Sequence, residues 1–194
     1  MKGVSPMQPK LKASVMDATK LRRVLQRMAT EILERNRNLK NLVIIGIRTR
    51  GIYVARRIAR LVKEMENVDV PVGVMDITLY RDDFTEAETP AIIHKTEIPF
   101  SVSKKDVILV DDVLMTGRTI RAAMDGLFHL GRPQTIQLMV LIDRGHRELP
   151  LRADYVGKSL PTSRREIVEV HLKEIDGHDD VLITEPAALK KGRT

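Results

Sequence analysis

The sequence predicts an α/β fold in which a central, mostly parallel β-sheet is flanked by helices and carries a small β-containing hood. Short apolar runs rich in β-branched residues alternate along the chain with longer amphipathic segments. This alternation is typical of a parallel sheet that is covered by helices on both faces. The length of 194 residues suits one domain with a sizeable core.

We expect one domain over residues 15–184, with a flexible arm before it (1–14) and a flexible tail after it (185–194). Apolar residues recur at helical spacing over 15–38, which predicts an amphipathic helix with Asp17 as its N-cap. The further elements are predicted as a strand at 42–47, a helix at 52–65, strands at 72–80 and 107–110, a helix at 120–127, a strand at 135–142 and β-like runs at 154–156, 167–171 and 181–184.

Composition excludes several classes of protein and favours an anionic ligand. Lysine plus arginine number 33 against 26 acids, a net charge of +7, which attracts nucleotides, pyrophosphate or nucleic acid. Aromatic residues are only 3%, so a platform that stacks single-stranded bases is not expected. Cysteine is absent, which excludes disulfides and thiolate metal sites. No signal-peptide core or membrane-length apolar run occurs, so we expect a cytoplasmic protein with no membrane partner.

The most informative segment is the strand, turn and helix start at residues 107–119. Two adjacent acids, Asp111 and Asp112, follow an apolar strand, and a Thr-Gly-Arg-Thr turn then leads into a helix. Loop amides and the positive end of a helix dipole bind phosphate, while paired carboxylates accept hydrogen bonds from vicinal hydroxyls. This order predicts a site for a phosphorylated sugar, the alternative being a plain crossover with a solvated acidic turn. The predicted site comprises Val107, Ile108, Leu109, Val110, Asp111, Asp112, Val113, Leu114, Met115, Thr116, Gly117, Arg118 and Thr119.

Other loops with chemical content also follow predicted strands, and ligands of such sheets lie at the carboxyl ends of the strands. Thr49, Arg50 and Gly51 form a strand-to-helix turn whose amides would bind a second anion, unless it is only a tight turn. Arg81 opens a long segment, 82–105, which we expect to be a mobile loop that closes over the ligand. The alternative for this segment is a charged, solvated hairpin.

A basic stretch follows the 135–142 strand. Such a cluster is suited to contacts with a phosphate backbone, although from charge alone an ordinary solvated surface is the simpler interpretation. A zinc site at His146 is not supported, since no second histidine lies at ligand spacing. Neither a nucleoside-triphosphatase P-loop nor a hydrolase Gly-x-Ser-x-Gly motif occurs.

The 107–119 segment resembles the phosphoribosyl pyrophosphate (PRPP) motif of type I phosphoribosyltransferases. Together with 49–52, 76–83 and the Asp-Arg-Gly-His-Arg-Glu-Leu-Pro stretch at 143–150, it resembles the PyrR family of bifunctional pyrimidine operon regulators and uracil phosphoribosyltransferases. The resemblance covers roughly residues 15–184. It implies the type I fold, transfer of the phosphoribosyl group from PRPP to uracil, and binding of leader mRNA promoted by UMP or UTP, which favours transcription termination.

The resemblance also implies roles for residues. Asp111 and Asp112 would contact the ribose hydroxyls, residues 116–119 the 5′-phosphate and the 49–51 turn the pyrophosphate, with Arg81 joining in catalysis. Mg²⁺ would bind together with PRPP, without a dedicated protein site. Backbone groups of 155–163 and the end of the 138–142 strand would hold uracil. The residues expected to contact RNA are Arg27, Arg144, His146, Arg147, Arg152 and Lys158.

Self-association is expected from the resemblance alone. Two other functions stay open at this point. One is an RNA-binding regulator that senses nucleotides with negligible catalysis, against which the intact acidic pair and anion loops argue. The other is a purine phosphoribosyltransferase, against which the 143–150 stretch argues.

Overall fold

The computed structural model describes residues 10–78 and 96–186. Within these ranges eight strands and four α-helices follow one another. They are β1 (Lys10–Asp17), α1 (Ala18–Arg35), β2 (Leu42–Ile47), α2 (Gly51–Glu66), β3 (Val72–Met75), β4 (Asp106–Leu114), α3 (Arg118–Leu130), β5 (Thr135–Asp143), β6 (Tyr155–Ser159), β7 (Ile167–His171), α4 (Lys173–Asp176) and β8 (Asp180–Glu185).

The main sheet has the strand order β3-β2-β4-β5-β6, and every neighbouring pair in it is parallel. A second, antiparallel sheet has the order β1-β8-β7 and forms the hood. The predicted fold class, a parallel sheet flanked by helices with a small β-containing hood, is therefore confirmed. The β-like run at 154–156 was predicted together with the runs that form the hood. The structure places it in β6, which pairs with β5 and extends the main sheet.

Helices cover the main sheet on both faces, which explains why its central strands are apolar throughout. On one side, residues such as Ile44 and Ile108 pack with buried residues of α1 and α2. On the other side, Val43 and Leu109 pack with buried residues of α3. Alternate residues of each strand thus enter different cores, as expected for a sheet buried on both faces.

The first helix begins later than the sequence predicts. Asp17 is its N-cap, as predicted, and the carboxylate accepts a hydrogen bond of 2.7 Å from the amide of Lys20. Val15 and Met16 carry the same apolar pattern but belong to β1, so the helix covers Ala18–Arg35 and not the whole of 15–38.

The predicted arm, 1–14, is wrong for residues 10–14. These residues belong to β1, which pairs with β8, and the ammonium group of Lys12 pairs with Glu166 and Glu185. The partners lie more than 150 residues away, so no local pattern reveals the strand. Residues 1–9 lie outside the described ranges, and so do residues 187–194, which make up most of the predicted tail.

The third strand is shorter than the predicted 72–80. It ends at Met75, after which the Asp76 carboxylate accepts hydrogen bonds from the amide and the hydroxyl of Thr78, at 2.8 and 2.6 Å. The segment 79–95, with Arg81 and most of the predicted mobile loop, lies outside the described residues. Every helix within 10–78 and 96–186 is too short or too polar to span a bilayer.

Candidate functional site

The loops that follow β2, β4 and β5 lie side by side at one edge of the main sheet. The amide of Arg48 donates to the carbonyl of Met75 (2.9 Å), which joins the ends of β2 and β3. The amide of Arg144 donates to Leu114 (3.1 Å), which joins the ends of β5 and β4. The predicted convergence therefore occurs for 48–51, 111–119 and 143–147, whereas the fourth loop of that prediction, 80–83, lies outside the described residues.

The acidic pair lies inside β4 and not after it. Val113 and Leu114 continue the parallel pairing with Ile142 and Asp143 of β5, so the strand ends at Leu114 instead of Val110. Because the ladder continues, Asp111 and Asp112 are held by sheet geometry and not by a flexible turn.

The two carboxylates have different environments. Asp111 is 6% exposed, and its Oδ1 accepts a hydrogen bond of 2.9 Å from the amide of Asp112, whose own side chain is half-buried. Burial raises the pKa of Asp111 well above its ordinary value, and the negative charge of Asp112 raises it further. The pair therefore favours a ligand that brings hydroxyl donors or positive charge.

The loop between β4 and α3 presents backbone amides to this edge. Gly117 is the N-cap of α3 with a φ of 93°, and no side chain caps the helix from that position. A side chain at Gly117 would be strained by this φ and would meet the Leu151 side chain at 3.2 Å. The hydroxyl of Thr116 accepts only a long hydrogen bond, 3.3 Å, from the amide of Arg118. The helix start is suited to an anion.

The loop after β5 holds the β4–α3 loop in place. The guanidinium of Arg147 donates to the carbonyl oxygens of Met115 (2.7 Å) and Leu151 (3.1 Å) and pairs with Asp143 at 2.5 Å. The carbonyl of Thr116 also accepts hydrogen bonds from the amides of residues 148 and 149. Arg147, which the sequence predicts to contact RNA, thus supports the sugar-phosphate loop; its RNA role stays a prediction.

The turn after β2 is pressed against β4. A Cβ at Gly51 would lie 2.4 Å from the carbonyl oxygen of Val110, so only glycine permits this approach. Arg50, the N-cap of α2, provides no side-chain cap to that helix. Its Nη2 pairs with Asp176 at 3.0 Å, while its Nε is buried without a hydrogen-bond partner among the described residues. Buried donors normally have partners, so this atom is consistent with a site that a ligand completes.

A cavity of about 310 Å³ opens where β5 and β6 end. It is lined by residues 143–146 and 159–162. Nε2 of His146 lies 2.6 Å from the carbonyl oxygen of Thr162, which holds the two walls together. A larger cavity of about 910 Å³ lies between α1, α2 and residues 173–179, and none of the predicted site residues lines it.

The predicted RNA-contacting residues divide by exposure. Arg144 is 6% exposed and donates to Thr162 Oγ1 and to the carbonyls of residues 163 and 166, all within 3.0 Å, so it is a buried anchor and does not face outward. Arg27, Arg152 and Lys158 are exposed.

Packing of α1 against β6 adds a residue that sequence reasoning missed. Arg27 donates to the carbonyl of Gly157 (2.6 Å), which places it beside Lys158. Further along the same helix, Arg35 donates to the carbonyl of Asp154 (3.0 Å) and lies 5.0 Å from the ring centre of Tyr155. The eight-residue spacing of the two arginines on one helix was a usable signal, since it repeats a helical face.

Comparisons with known proteins agree with this geometry. The model of the family described as "Phosphoribosyl transferase domain" matches residues 14–175. The bifunctional protein PyrR of Pelotomaculum thermopropionicum is 58% identical over 176 residues, which cover 91% of this chain and 97% of that protein. The bifunctional protein PyrR of Deinococcus radiodurans is 55% identical over 179 residues, covering 92% and 98%.

Solved structures support the fold. A hypoxanthine phosphoribosyltransferase of Trypanosoma cruzi superposes with a TM-score of 0.70 at 18% identity, covering 91% of this chain and 98% of that one. A hypoxanthine phosphoribosyltransferase of Staphylococcus aureus gives a TM-score of 0.67 at 19% identity, covering 91% and 94%. At such low identity the likeness concerns the fold alone.

Proposed function

The chain belongs to the phosphoribosyl transferase domain family and, within it, to the bifunctional PyrR proteins, and from this premise we infer two activities. One is transfer of the phosphoribosyl group from PRPP to uracil, which gives UMP and pyrophosphate. The other is regulation of pyrimidine genes through uridine-nucleotide-dependent binding to leader mRNA. The observation that carries the enzymatic assignment is the buried acidic pair between two uncapped helix starts.

We propose that PRPP binds along the edge formed by β2, β4 and β5. The amides of 116–119 bind the 5′-phosphate, and the turn Thr49-Arg50-Gly51 binds the pyrophosphate. The contrast with α1 supports this assignment: Asp17 caps that helix, whereas the N-cap residues of α2 and α3 provide no side-chain cap and Thr116 makes only a long hydrogen bond to the start of α3. Asp111 and Asp112 accept hydrogen bonds from the ribose hydroxyls.

Catalysis then consists of positioning and preorganised charge. As the bond from C1 to pyrophosphate breaks, positive charge develops on the sugar ring, and the carboxylates of Asp111 and Asp112 stabilise it. Arg50 stabilises the departing anion, and Arg81, from the segment outside the described residues, is proposed to do the same. No covalent intermediate with the protein is needed.

A magnesium ion fits this edge chemically. The carboxylates of Asp111 and Asp112 are hard oxygen donors, and a cation beside them would offset the repulsion between these two neighbouring acids. When bound with PRPP, Mg²⁺ supplies charge that favours the leaving pyrophosphate. We propose that the protein contributes at most these carboxylates and provides no further ligands of its own.

The cavity at the ends of β5 and β6 is proposed to hold uracil. Its volume of about 310 Å³ accommodates a pyrimidine ring, and residues 143–146 and 159–162, which line it, are proposed to bind the edge of the base. Because the cavity begins at Asp143, which pairs in the sheet with Leu114, it lies next to the proposed ribose site.

The RNA-binding surface is proposed to follow α1 and β6. Arg27 and Lys158 from the sequence prediction lie there, and Arg35 extends the same basic surface. Arg152 is exposed and stays in the proposed set, whereas Arg144 is left out because it is buried. Self-association is proposed as well, on family membership.

The enzymatic assignment is tested by incubating the protein with PRPP, Mg²⁺ and either uracil or hypoxanthine. We expect UMP and pyrophosphate from uracil and no inosine monophosphate from hypoxanthine. Formation of the purine nucleotide would overturn the choice of base. Absence of both products, while UMP still promotes RNA binding, would favour a regulator without catalysis.

The regulatory assignment is tested by titrating leader RNA with and without UMP. Lys158→Gln should weaken binding and reduce the slope of log affinity against log salt by about one, as expected for one lost phosphate contact. Lys63→Gln is the control, since this exposed lysine lies at the opposite end of α2 from the strand-end site. Equal losses in both variants would mean that only net charge matters.

A further inference from the structure

The hood carries a cluster of histidines and a carboxylate that the proposed function does not use. His171 ends β7 and faces Asp180, the first residue of β8, as a cross-strand pair. His178 lies in the turn between α4 and β8, with its ring centre 4.9 Å from that of His171. One ligand atom from each of the three residues lies within 4.8 Å of the other two.

The separations fit a small tetrahedral ion. Nδ1 of His171 lies 2.7 Å from Oδ1 of Asp180, and Nε2 of His178 lies 3.6 Å from its Oδ2. Ligand atoms in a tetrahedral zinc site are about 3.3 Å apart, given bonds of about 2.0 Å. The observed separations, 2.7 and 3.6 Å within an upper limit of 4.8 Å for the three ligand atoms, fall on both sides of that value, so the side chains would have to rotate to form the site.

The hydrogen bond made by His178 leaves its Nε2 available to bind a metal ion. Its Nδ1 lies 2.9 Å from the carbonyl oxygen of Asp176, and since a carbonyl only accepts, Nδ1 must carry the proton. In the neutral ring Nε2 then holds a lone pair, and it points towards Asp180. A histidine ligand whose second nitrogen donates to a carbonyl is the usual arrangement in metal sites.

His171 differs from His178, because its Nδ1 donates a hydrogen bond of 2.7 Å to Oδ1 of Asp180. A metal ion bound at Nδ1 would replace this proton, and Nε2, 3.9 Å from Oε2 of Glu169, would then be the donor. The Glu169 carboxylate is itself positioned by the hydroxyl of Thr184 (2.8 Å). The second nitrogen of His178 therefore has an acceptor at hydrogen-bond distance, and that of His171 has a carboxylate nearby.

The turn that carries His178 is anchored on both sides. Asp176 accepts a hydrogen bond from the amide of Leu172 (2.8 Å) and pairs with Arg50. Asp179 pairs with Arg57 at 2.7 Å. Such anchoring reduces the ordering cost of binding, because the ligand-bearing backbone is already fixed.

We propose that His171, His178 and Asp180 form a site for a transition-metal dication of the zinc class. Two imidazoles and one carboxylate suit Zn²⁺ and its neighbours, whereas Mg²⁺ and Ca²⁺ prefer oxygen ligands throughout. With three protein ligands, the fourth position faces solvent beside His178, whose side chain is 57% exposed. The site is separate from the magnesium that accompanies PRPP.

The test is calorimetric titration of the untagged protein with ZnCl₂ in buffer that contains millimolar Mg²⁺. We expect one zinc per chain and an increase of several degrees in melting temperature at zinc well above its dissociation constant. His178→Ala and His171→Ala should each weaken binding by at least tenfold. His178 is exposed, so its replacement leaves the fold intact.

His129→Ala is the matched control. Its Nδ1 lies 2.8 Å from the backbone carbonyl of Asp125, as in His178, but it is in α3 and outside the cluster. Zinc affinity should be unchanged in this variant. The proposal is overturned by equal zinc binding in wild type and His178→Ala, or by displacement of the zinc at millimolar Mg²⁺.

Discussion

The acidic pair inside β4 and the ion-pair cluster between α2 and the hood both hold charged groups partly out of water, but the two differ in whether the charges are paired. Asp111 is buried beside the like charge of Asp112, and it makes no ion pair with any described residue. Arg57 is 11% exposed, and its guanidinium donates to the carboxylates of Glu174 and Asp179. The charge of Arg57 is therefore balanced by carboxylates of the same chain, whereas the acidic pair is available to a ligand.

The difference indicates which cluster supports the fold and which supports the chemistry. A paired charge stabilises the fold mainly because its removal leaves the partners unpaired. An unpaired carboxylate costs stability and is retained where it contributes to binding or catalysis. Substitutions in the two clusters should therefore move stability and activity in opposite ways.

The largest expected effect is on stability. Arg57→Gln leaves two carboxylates without their cation and should lower the free energy of unfolding by about 2–3 kcal/mol, somewhat below the cost at a fully buried pair. Urea unfolding at pH 7 measures this. Arg60→Gln, an exposed arginine on the same helix, is the control and should change stability by no more than about 0.5 kcal/mol. Equal losses would mean that helix propensity and not pairing is responsible.

The next effect is on catalysis. Asp112→Asn keeps the shape of the side chain but removes charge that stabilises the transition state. UMP formation should fall at least tenfold, or about 1.4 kcal/mol, with the fold intact by circular dichroism. Asp69→Asn, whose side chain is 81% exposed, should leave the rate unchanged. An unaltered rate in Asp112→Asn would refute the assigned role.

Replacement of the neighbouring acid, Asp111, should change stability by a smaller amount and should raise it, whereas Arg57→Gln lowers it. Folding raises the pKa of Asp111, so the folded state binds the proton more tightly and stability declines as pH rises towards that raised pKa. Asp111→Asn removes this cost and should stabilise the protein at pH 7, while UMP formation falls. Urea unfolding of Asp111→Asn and of Asp125→Asn, an exposed control, measures the gain. A destabilised Asp111→Asn would contradict the comparison.

The smallest effect is the pH dependence of the paired cluster. The hydrogen bond from Arg57 holds the pKa of Glu174 below its ordinary value, and for Asp179 the bonds from Arg57 and Lys173 outweigh the effect of burial. Stability from these depressed pKa values is present above the ordinary carboxyl range and is lost as pH falls through the folded values. The gap between wild type and Arg57→Gln should therefore narrow by less than about 1 kcal/mol from pH 7 to pH 3, because water screens Glu174. A constant gap would argue against the ion pairs.

The sequence predicts best what local patterns encode. Leu42–Ile47 and Ile167–His171 occur with the predicted bounds, because an apolar run or strict alternation identifies a strand locally. β1 is missed because its partner lies at the other end of the chain. The sequence predicts that β4 ends before the two acidic residues, whereas its pairing with β5 continues past them.

For the site, the sequence predicts which loops meet but not which way the side chains turn. The convergence follows from the parallel sheet alone. The inward orientation of Arg144 and Arg147 does not, because it depends on carbonyl oxygens of distant loops, such as those of Met115 and Glu166. The sequence does not distinguish an exposed arginine from a buried one, so the residues predicted to contact RNA include both kinds.

The most direct measurement is the rise in melting temperature that PRPP and Mg²⁺ produce in wild type, Asp112→Asn and Arg57→Gln. A ligand that binds only the folded state stabilises it in proportion to the logarithm of concentration over dissociation constant. We predict a rise of several degrees in wild type, the same rise in Arg57→Gln from a lower starting temperature, and a much smaller rise in Asp112→Asn. A full rise in Asp112→Asn, or its loss in Arg57→Gln, would contradict the assignment of the acidic pair to the ligand and of the paired cluster to the fold.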